Sequence, residues 1–531
     1  MSSLVLPLVL TFTISLFLLR RPLLRIITPR DLPGIPAYPD PSPMLGDIPR
    51  MRKMMKSSGG FGDLADACAR ELGAIAQLRV GFFSNIIVLT DYQSIDNMLN
   101  KQNAYFDRAE ATMANFRTII PKAQIALRTD DMWKHHRRII GTAMTSKYLS
   151  STTPRAIESV QDLIDLWRTK GKLGGPGAWS AEDDMIAATL DAICGMAFGS
   201  SWGVTRSFTK QTADLKHLPR GETGDVHFDL KLPDIANSTM IVFGSVNIAS
   251  TNPGLAHFVT RLSPTYRRHE TRISTFLTEK LAASRIKAKQ LGAEVAVEMA
   301  DNTLDLMVAR ELRGEDMMPD DEMKDEIFQY LVAGTETSGV TLSWVRFAAS
   351  TIKLIASRAC SLSTTQIQDR PPTFEELNAV NTPFLEAVVH ETLRLSRTAS
   401  GYAREVIKDV VILGKRVPKG TVVIVPTIIG IEDRSTPIFA TPDSVSSVSS
   451  LASSAHSSTD DNAAVRSSES LAGVRGDAPP RKVGFWASGS GHEFDPDRWL
   501  DAKGNFDPNA GPSLPFSSGQ RGCFGKNLAV G

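Results

Sequence analysis

A dominant charge sign is what this chain most plainly lacks. Over 531 residues, 59 lysines and arginines meet 58 aspartates and glutamates, so nothing in the net charge argues for nucleic acid or another polyanion as a partner. Cysteine is scarce as well. Cys68, Cys194, Cys360 and Cys523 lie far apart with no Cys-x-x-Cys spacing, which leaves no sign of a disulfide framework or a structural zinc cluster. A cysteine with a special task must therefore act alone. No internal repeat is found. What is present is apolar material: 42% hydrophobic and 22% charged residues can bury a large core, in a chain longer than the usual single domain.

The first nineteen residues, Met1 to Leu19, carry no charge. At 1.5 Å per residue a helix of that length reaches about 28 Å, close to the hydrocarbon thickness of a bilayer. Arg20, Arg21, Arg25 and Arg30 follow, and basic residues beside a first apolar helix tend to stay cytosolic. A cleaved signal peptide would show charge before the apolar run and small residues after it, whereas this run ends in Leu-Leu-Arg-Arg-Pro. The expectation is a transmembrane anchor at 1–19 and a basic, proline-rich linker at 20–44. The prolines of Asp31 to Pro43 would stiffen that linker into a spacer, with one cytosolic domain over 45–531.

Most of that domain reads as helix, so the expected class is mainly α with small β-sheets. Gln77 to Asp91 reads as a strand pair broken at Gly81 and Ser84-Asn85. Asp409 to Thr427 reads the same way, with turns at Leu413-Gly414 and Pro418-Lys419-Gly420. Ser444 to Ser470 is serine-rich and has no aromatic residue, so it cannot bury enough apolar area to offset its ordering entropy. A disordered insertion at about 440–490 is expected.

The strongest helical pattern runs from about Asp320 to Trp344. Pro319 and the acidic Asp320, Asp321 and Glu322 suit a helix start, and Met323, Ile327, Leu331 and Val332 form an apolar stripe. In its middle stands Ala333-Gly-Thr-Glu-Thr-Ser338. The bland reading is a helix-packing notch whose hydroxyls bond back to the preceding turn. The functional reading is a groove for a flat ligand, with Thr337 as proton donor or water holder and Glu336 as a buried acid feeding it.

Near the end comes Pro515-Phe-Ser-Ser-Gly-Gln-Arg-Gly-Cys-Phe-Gly525. Phe516-x-x-Gly519-x-Arg521-x-Cys523-x-Gly525 resembles, at all five positions, the cysteine-ligand loop of the cytochrome P-450 (haem-thiolate) family, of the membrane-anchored eukaryotic and fungal type. A cysteine thiolate ligating haem iron pushes electron density toward bound dioxygen. The resemblance implies the cytochrome P-450 fold, a triangular helical prism, here lacking its C-terminal end. It implies haem b with Cys523 as axial thiolate, Gly519 and Gly525 clearing space for the porphyrin, Arg521 on a propionate and Phe516 shielding the sulfur.

Weaker signals take their meaning from that resemblance. Glu391-Thr-Leu-Arg394 alone is more often a surface salt bridge, but in the family it is joined by an arginine from a later Phe-x-Pro-x-Arg segment. Phe494-Asp-Pro-Asp-Arg498 supplies it, so Glu391, Arg394 and Arg498 would form a buried charge network. Trp133-x-x-x-Arg137 alone reads as a basic, solvated helix face; by resemblance Trp133, Arg137 and Arg404 would reach the propionates. His135 and His136 are assigned to the surface, since adjacent helical residues point different ways. No motif supports His492 as partner of a nucleophilic cysteine.

The resemblance further implies insertion of one oxygen atom into a lipophilic small molecule, in the manner of fungal secondary-metabolism members. Glu336 and Thr337 would serve proton delivery. Electrons would come from NADPH through a separate reductase, because no flavin or nicotinamide segment is visible. Membrane lipid is an expected partner and nucleic acid is not; the expected place is the endoplasmic reticulum membrane. Trp202 to Phe258 would hold the access helices. Three features depart from the family pattern: Val345 to Arg370 lacks the usual charged amphipathic helix, the Ser444 to Ser470 insertion is unusual, and only Lys526 to Gly531 follows the cysteine loop. The alternative expectation is a truncated, catalytically incompetent haem-binding remnant.

Overall fold

The computed structural model describes residues 31–58, 61–81, 84–222, 224–246, 252–315, 317–347, 373, 376, 382–396, 398–427, 483–484, 486 and 490–530. The expected anchor, the serine-rich insertion and nearly all of the atypical stretch after Trp344 lie outside those residues. No helix among the described residues is long and apolar enough to cross a membrane. The chain divides into two compact units. One is drawn from Met1–Ala109, Ala399–Glu493 and Pro508–Gly522, the other from Glu110–Thr398, Phe494–Asp507 and Cys523–Gly531.

The first unit holds α1 (Ile48–Ser58), α2 (Phe61–Leu72), β1 (Ile75–Val80), β2 (Ser84–Leu89), α3 (Tyr92–Asp96), β3 (Phe106–Arg108), β4 (Gly401–Val406), β5 (Val410–Ile412), β6 (Lys415–Val417) and β7 (Val422–Pro426). Asp91 starts α3 by accepting the Ser94 N–H at 2.8 Å, and a π turn at Asn97–Lys101 continues it. The main sheet runs β1-β2-β7-β4-β3. All its pairings are antiparallel except β2 with β7, where Ile86, Ile87 and Val88 face Val422, Val423 and Ile424. Ile87, Leu89, Val406, Val423 and Val425 are fully buried.

Both expected strand regions form. The Leu413-Gly414 turn has φ of 49° and 72°, the left-handed pair that a two-residue hairpin requires. The proline-rich spacer needs correcting. Ile35 and Tyr38 are buried, Leu32 N–H donates to Gln77 Oε1 at 2.8 Å, and Gln77 Nε2 donates to the Ile35 carbonyl at 2.6 Å. Apolar side chains between the prolines and a buried glutamine on β1 tie this segment to the sheet, so the globular part includes residues from Asp31 onward.

The second unit holds α4 (Glu110–Phe116), α5 (Asp131–Gly141), α6 (Ser146–Gly174), α7 (Glu182–Phe198), α8 (Val204–Asp214), α9 (Asp234–Gly244), α10 (Pro253–Arg261), α11 (Pro264–Leu291), α12 (Ala293–Glu298), α13 (Thr303–Leu312), α14 (Asp320–Phe347), α15 (Pro383–Leu395) and α16 (Lys526–Val530). Asp130, Ser263 and Asn302 cap the starts of α5, α11 and α13 through their side chains. α14 begins at the acidic cluster as expected, and Met323, Ile327, Leu331 and Val332 are buried in the unit's core.

α7 is the main neighbour of α14, and two glycines set the approach. A Cβ on Gly334 would come within 2.5 Å of Ile193 Cδ1, and one on Gly339 within 2.9 Å of Ile186 Cα. Between them Thr189 Oγ1 donates to the Thr335 carbonyl at 2.9 Å. The glycines in the Ala333 to Gly339 stretch thus serve helix packing.

Candidate functional site

In the helical unit the residue after Cys523 organises its surroundings. Cys523 is exposed and not in a disulfide, whereas Cys68 and Cys194 are buried. Phe524 packs on the large helical core, and the Arg137 guanidinium lies 4.1 Å from the centre of its ring. Trp133, one turn before Arg137 on α5, places its ring 5.4 Å from the same guanidinium. The cation is thus held between two aromatic faces, an arrangement that keeps charge in a partly desolvated place. Burial lowers the Arg137 pKa, against the opposing pull of Cys523 and Glu326. The expected Trp133–Arg137 pair is real, though its organiser, Phe524, carried no recognisable signal beyond its place beside the cysteine.

The sheet unit holds the other cations. Arg404, on β4, is buried. It donates to the Ala403 carbonyl at 3.1 Å, the Ser517 hydroxyl at 3.2 Å and the Arg521 carbonyl at 3.3 Å. Burial lowers its pKa. Arg521, also buried, pairs with Asp107 Oδ1 at 3.3 Å. Sequence reasoning missed Asp107, which lies in the three-residue strand β3. Phe516 is half-buried, and Ser517 adopts a φ of 57° in the same loop.

The two loop glycines part company. Gly519 has a φ of 70°, and a Cβ there would lie 2.0 Å from the Leu99 carbonyl oxygen. Backbone conformation and contact with the π turn therefore already call for a glycine at 519. Gly525 is the opposite case. A Cβ there would meet nothing within 4 Å, so protein packing does not require the glycine.

Glu391, Arg394 and Arg498 come together as the sequence suggests. Glu391 is fully buried; Arg394 donates to its two oxygens at 2.7 and 2.8 Å, and Arg498 Nε donates to Oε1 at 3.1 Å. Two further donors complete the shell: the Asp495 N–H at 2.9 Å and the Trp499 indole N–H at 3.0 Å. A carboxylate with this many charge-assisted bonds is a fixed point.

On α14 the expected proton apparatus is only partly as read. Thr337 is exposed, and its hydroxyl donates to the Ala333 carbonyl at 2.5 Å. Glu336 is exposed too, so it is not the buried acid of the sequence reading. The reason is helical geometry: Gly334, Thr335 and Gly339 face α7, which turns Ala333, Glu336 and Thr337 away from it. His136 is the second correction. His135 is partly exposed and bonds the Met317 carbonyl, but His136 is fully buried between Glu322 and Glu326. α5 turns that one histidine toward the acidic first turns of α14.

Each unit by itself carries part of what a haem needs. The thiol is exposed and uncommitted to a disulfide, with open space at Gly525. Arg404 is a buried cation with no carboxylate at ion-pair distance among the described residues, bonded to carbonyl and hydroxyl oxygens alone. An anionic group is what such a cation lacks.

Comparison with known proteins agrees with that chemistry. Residues 36–445 and 490–530 match the family described as cytochrome P450. The chain is 26% identical to the cytochrome P450 monooxygenase GME11363 of Pestalotiopsis microspora, over 95% of this chain and 87% of the relative. It is 26% identical to the cytochrome P450 monooxygenase TRI13 of Fusarium sporotrichioides, over 94% and 88%. It is 28% identical to the cytochrome P450 monooxygenase xilC of Penicillium rubens, over 96% and 86%.

Proposed function

This chain belongs to the cytochrome P450 family and is a monooxygenase of fungal type, and we propose that it inserts one oxygen atom from O2 into a lipophilic small molecule of secondary metabolism. The observation that carries the reading is Cys523, an exposed thiol outside any disulfide in a loop that matches at all five positions, with Gly525 two residues on meeting no protein contact that demands a glycine. Haem, when bound through that thiolate, supplies the iron chemistry of dioxygen activation.

The chain's own residues then have separable tasks. Arg137, Arg404 and Arg521 would receive the propionates, and the two aromatic faces around Arg137 limit where its charge can go. Glu391, held by Arg394, Arg498 and Trp499, would keep the fold behind the cysteine loop rigid. Phe516 would shield the sulfur. Thr337 spends its hydroxyl hydrogen on the Ala333 carbonyl, so its oxygen is free to accept a hydrogen bond from a water, and a swing about χ1 turns it into a donor. Glu336, exposed next to it on α14, would exchange protons with solvent and pass them to that water.

Electrons would come from NADPH through a separate reductase. Membrane contact is supported by α10, where Leu255, Phe258 and Val259, with Leu262 just beyond, are more than half exposed, an apolar face suited to an interface. With the uncharged 1–19 segment, this favours the endoplasmic reticulum membrane and a substrate that enters from lipid.

The test is a spectrum. The purified full chain, reduced under carbon monoxide, should show the red-shifted Soret band of a thiolate-ligated haem, and Cys523→Ala should abolish it. Survival of the band in that variant sinks the ligand assignment, and a wild-type chain that takes up no haem sinks the monooxygenase reading.

A further inference from the structure

Glu326, fully buried on α14, sits at the centre of a polar cluster to which the reading above gives no task. Its Oε1 lies 2.7 Å from His136 Nδ1 and accepts the Gln124 N–H at 2.6 Å. Its Oε2 accepts from Gln124 Nε2 at 3.2 Å. The other ring nitrogen of His136 lies 3.0 Å from Glu322 Oε2. Ionised carboxylates only accept, so facing one at each nitrogen calls for two N–H groups, and the ring is an imidazolium. Burial opposes that charge, yet the two carboxylates outweigh it and raise the His136 pKa.

The cluster continues toward the proposed haem side. Because Gln124 gives its NH2 to Glu326, its carbonyl oxygen must point the other way, and it lies 3.5 Å from Arg137 Nη1. The inverse amide orientation would set that oxygen against a carboxylate. The other charges nearby are accounted for. Lys122 pairs with Asp321 at 2.5 Å and stands 3.9 Å from Glu322, and Asp325 accepts the Lys122 N–H at 2.9 Å. On α5, Lys134 pairs with Asp131, and Arg138 bonds His135 at the surface. On α13, Asp305, Arg310 and Glu311 are engaged with Lys287, Glu315 and Arg285. Among the described residues, His136 bonds both buried carboxylates, one at each ring nitrogen.

We propose that His136 is a positioning residue for Arg137: as an imidazolium it neutralises Glu326, which holds the Gln124 amide so that its oxygen steadies the guanidinium. The proposal rests on Arg137 being a propionate partner. When His136 loses its proton, Glu326 is left with a buried uncompensated charge and competes for Arg137, drawing it toward α14. A propionate then loses its cation, and haem is released faster as pH rises through the His136 pKa.

The test combines two readouts on the full chain. Haem transfer to excess apomyoglobin is timed against pH, and the histidine and arginine side chains are followed by NMR in the diamagnetic ferrous carbon monoxide form. Wild type should show His136 titrating above the ordinary histidine range, the Arg137 signal moving in step with it, and transfer quickening about tenfold or more across the same interval. Glu326→Gln should move the titration down and flatten the rate step; His136→Gln should transfer fast at every pH. Gln124→Leu, which leaves the ion pairs intact, should uncouple the Arg137 signal from His136. An Arg137 signal indifferent to His136 in wild type, or a His136→Gln profile parallel to wild type, overturns the proposal. If the chain takes up no haem the functional reading fails by itself, and the NMR titration of the same chain still decides whether His136 and Arg137 move together.

Discussion

The indole N–H of Trp499 donates to Glu391 Oε2 at 3.0 Å, inside a shell that already contains Arg394, Arg498 and the Asp495 N–H. Trp499 is nearly fully buried, so its nitrogen has no water to fall back on. Trp499→Phe should cost about 1–3 kcal/mol, the penalty for leaving part of a buried carboxylate unsatisfied. Glu391→Gln should cost about 3–5 kcal/mol, because two buried guanidinium groups lose their counter-charge. Urea unfolding with haem content as a second measure checks both. Equal losses for the two variants would show that the indole matters as much as the charge.

Gly519 and Gly525 should respond oppositely to the same change. Gly519→Ala forces an alanine into a φ of 70° and drives a Cβ onto the Leu99 carbonyl, so the fold should lose about 1–3 kcal/mol or more. Gly525→Ala meets nothing in the protein, so stability of the haem-free chain should be unchanged while haem dissociates faster. Unfolding midpoints measured with haem removed, alongside haem transfer rates, separate the two.

Gly334 and Gly339 also differ, in what they face. Gly334 meets the far end of Ile193, which can turn aside, whereas Gly339 meets the Ile186 backbone. Gly339→Ala should therefore cost about 1–3 kcal/mol by pushing α14 from α7, and Gly334→Ala clearly less. Thermal unfolding of the two variants side by side is sufficient to see the order.

How far the sequence carried depends on whether a residue's task is local. The β5-β6 hairpin, the start of α14 and its buried stripe follow from turn residues, acidic caps and a helical period, all read within a few positions. Glu391, Arg394 and Arg498 were legible because their order along the chain matches a family pattern, yet Trp499, one residue on, was not, since nothing local says where an indole N–H will point. β3 and β4 escaped notice because three residues of Phe-Asp-Arg, and a strand starting at Gly401 with Arg404 and Glu405 inside it, carry no alternation of their own; their pairing with each other and with β7 makes them strands. His136 was misplaced for a related reason. A run of basic residues on one helix usually means water, and only the acidic turns of α14, about 190 residues away, make one of them a core residue.

A pH effect on stability should come from His390. It is half-buried on α15, its ring 4.6 Å from Phe506 and 5.4 Å from Trp499. Burial pushes its pKa down to about 4, although the Glu386 carbonyl at 3.1 Å favours the protonated ring. The folded state thus holds His390 neutral where the unfolded chain takes up a proton. Its contribution is present in full above about 6.5, the ordinary histidine value, and is lost as pH falls from there through about 4. His390→Phe keeps the stacking and removes the proton. Urea unfolding at several pH values between 7 and 4 should show a shallower acid slope for that variant, and an unchanged slope would assign the loss to other groups.

Lys170 and Asp184 form a buried pair 2.7 Å apart between α6 and α7. Asp184 also accepts from the Trp167 indole at 3.1 Å, and the ammonium lies 4.6 Å from the Phe228 ring. Burial raises the Asp184 pKa despite the lysine, which shows that desolvation is not fully offset by pairing. Lys170→Met should therefore cost about 3–5 kcal/mol, because it strands the carboxylate. The double variant Lys170→Met, Asp184→Leu should recover much of that, since two apolar side chains remove both charges and leave the Trp167 and Trp179 indoles to lose an acceptor. A double-mutant cycle from urea unfolding gives the coupling directly. A coupling near zero would mean that the pair contributes through packing alone, and that the methylene stem of Lys170, more than its charge, is what the helices hold.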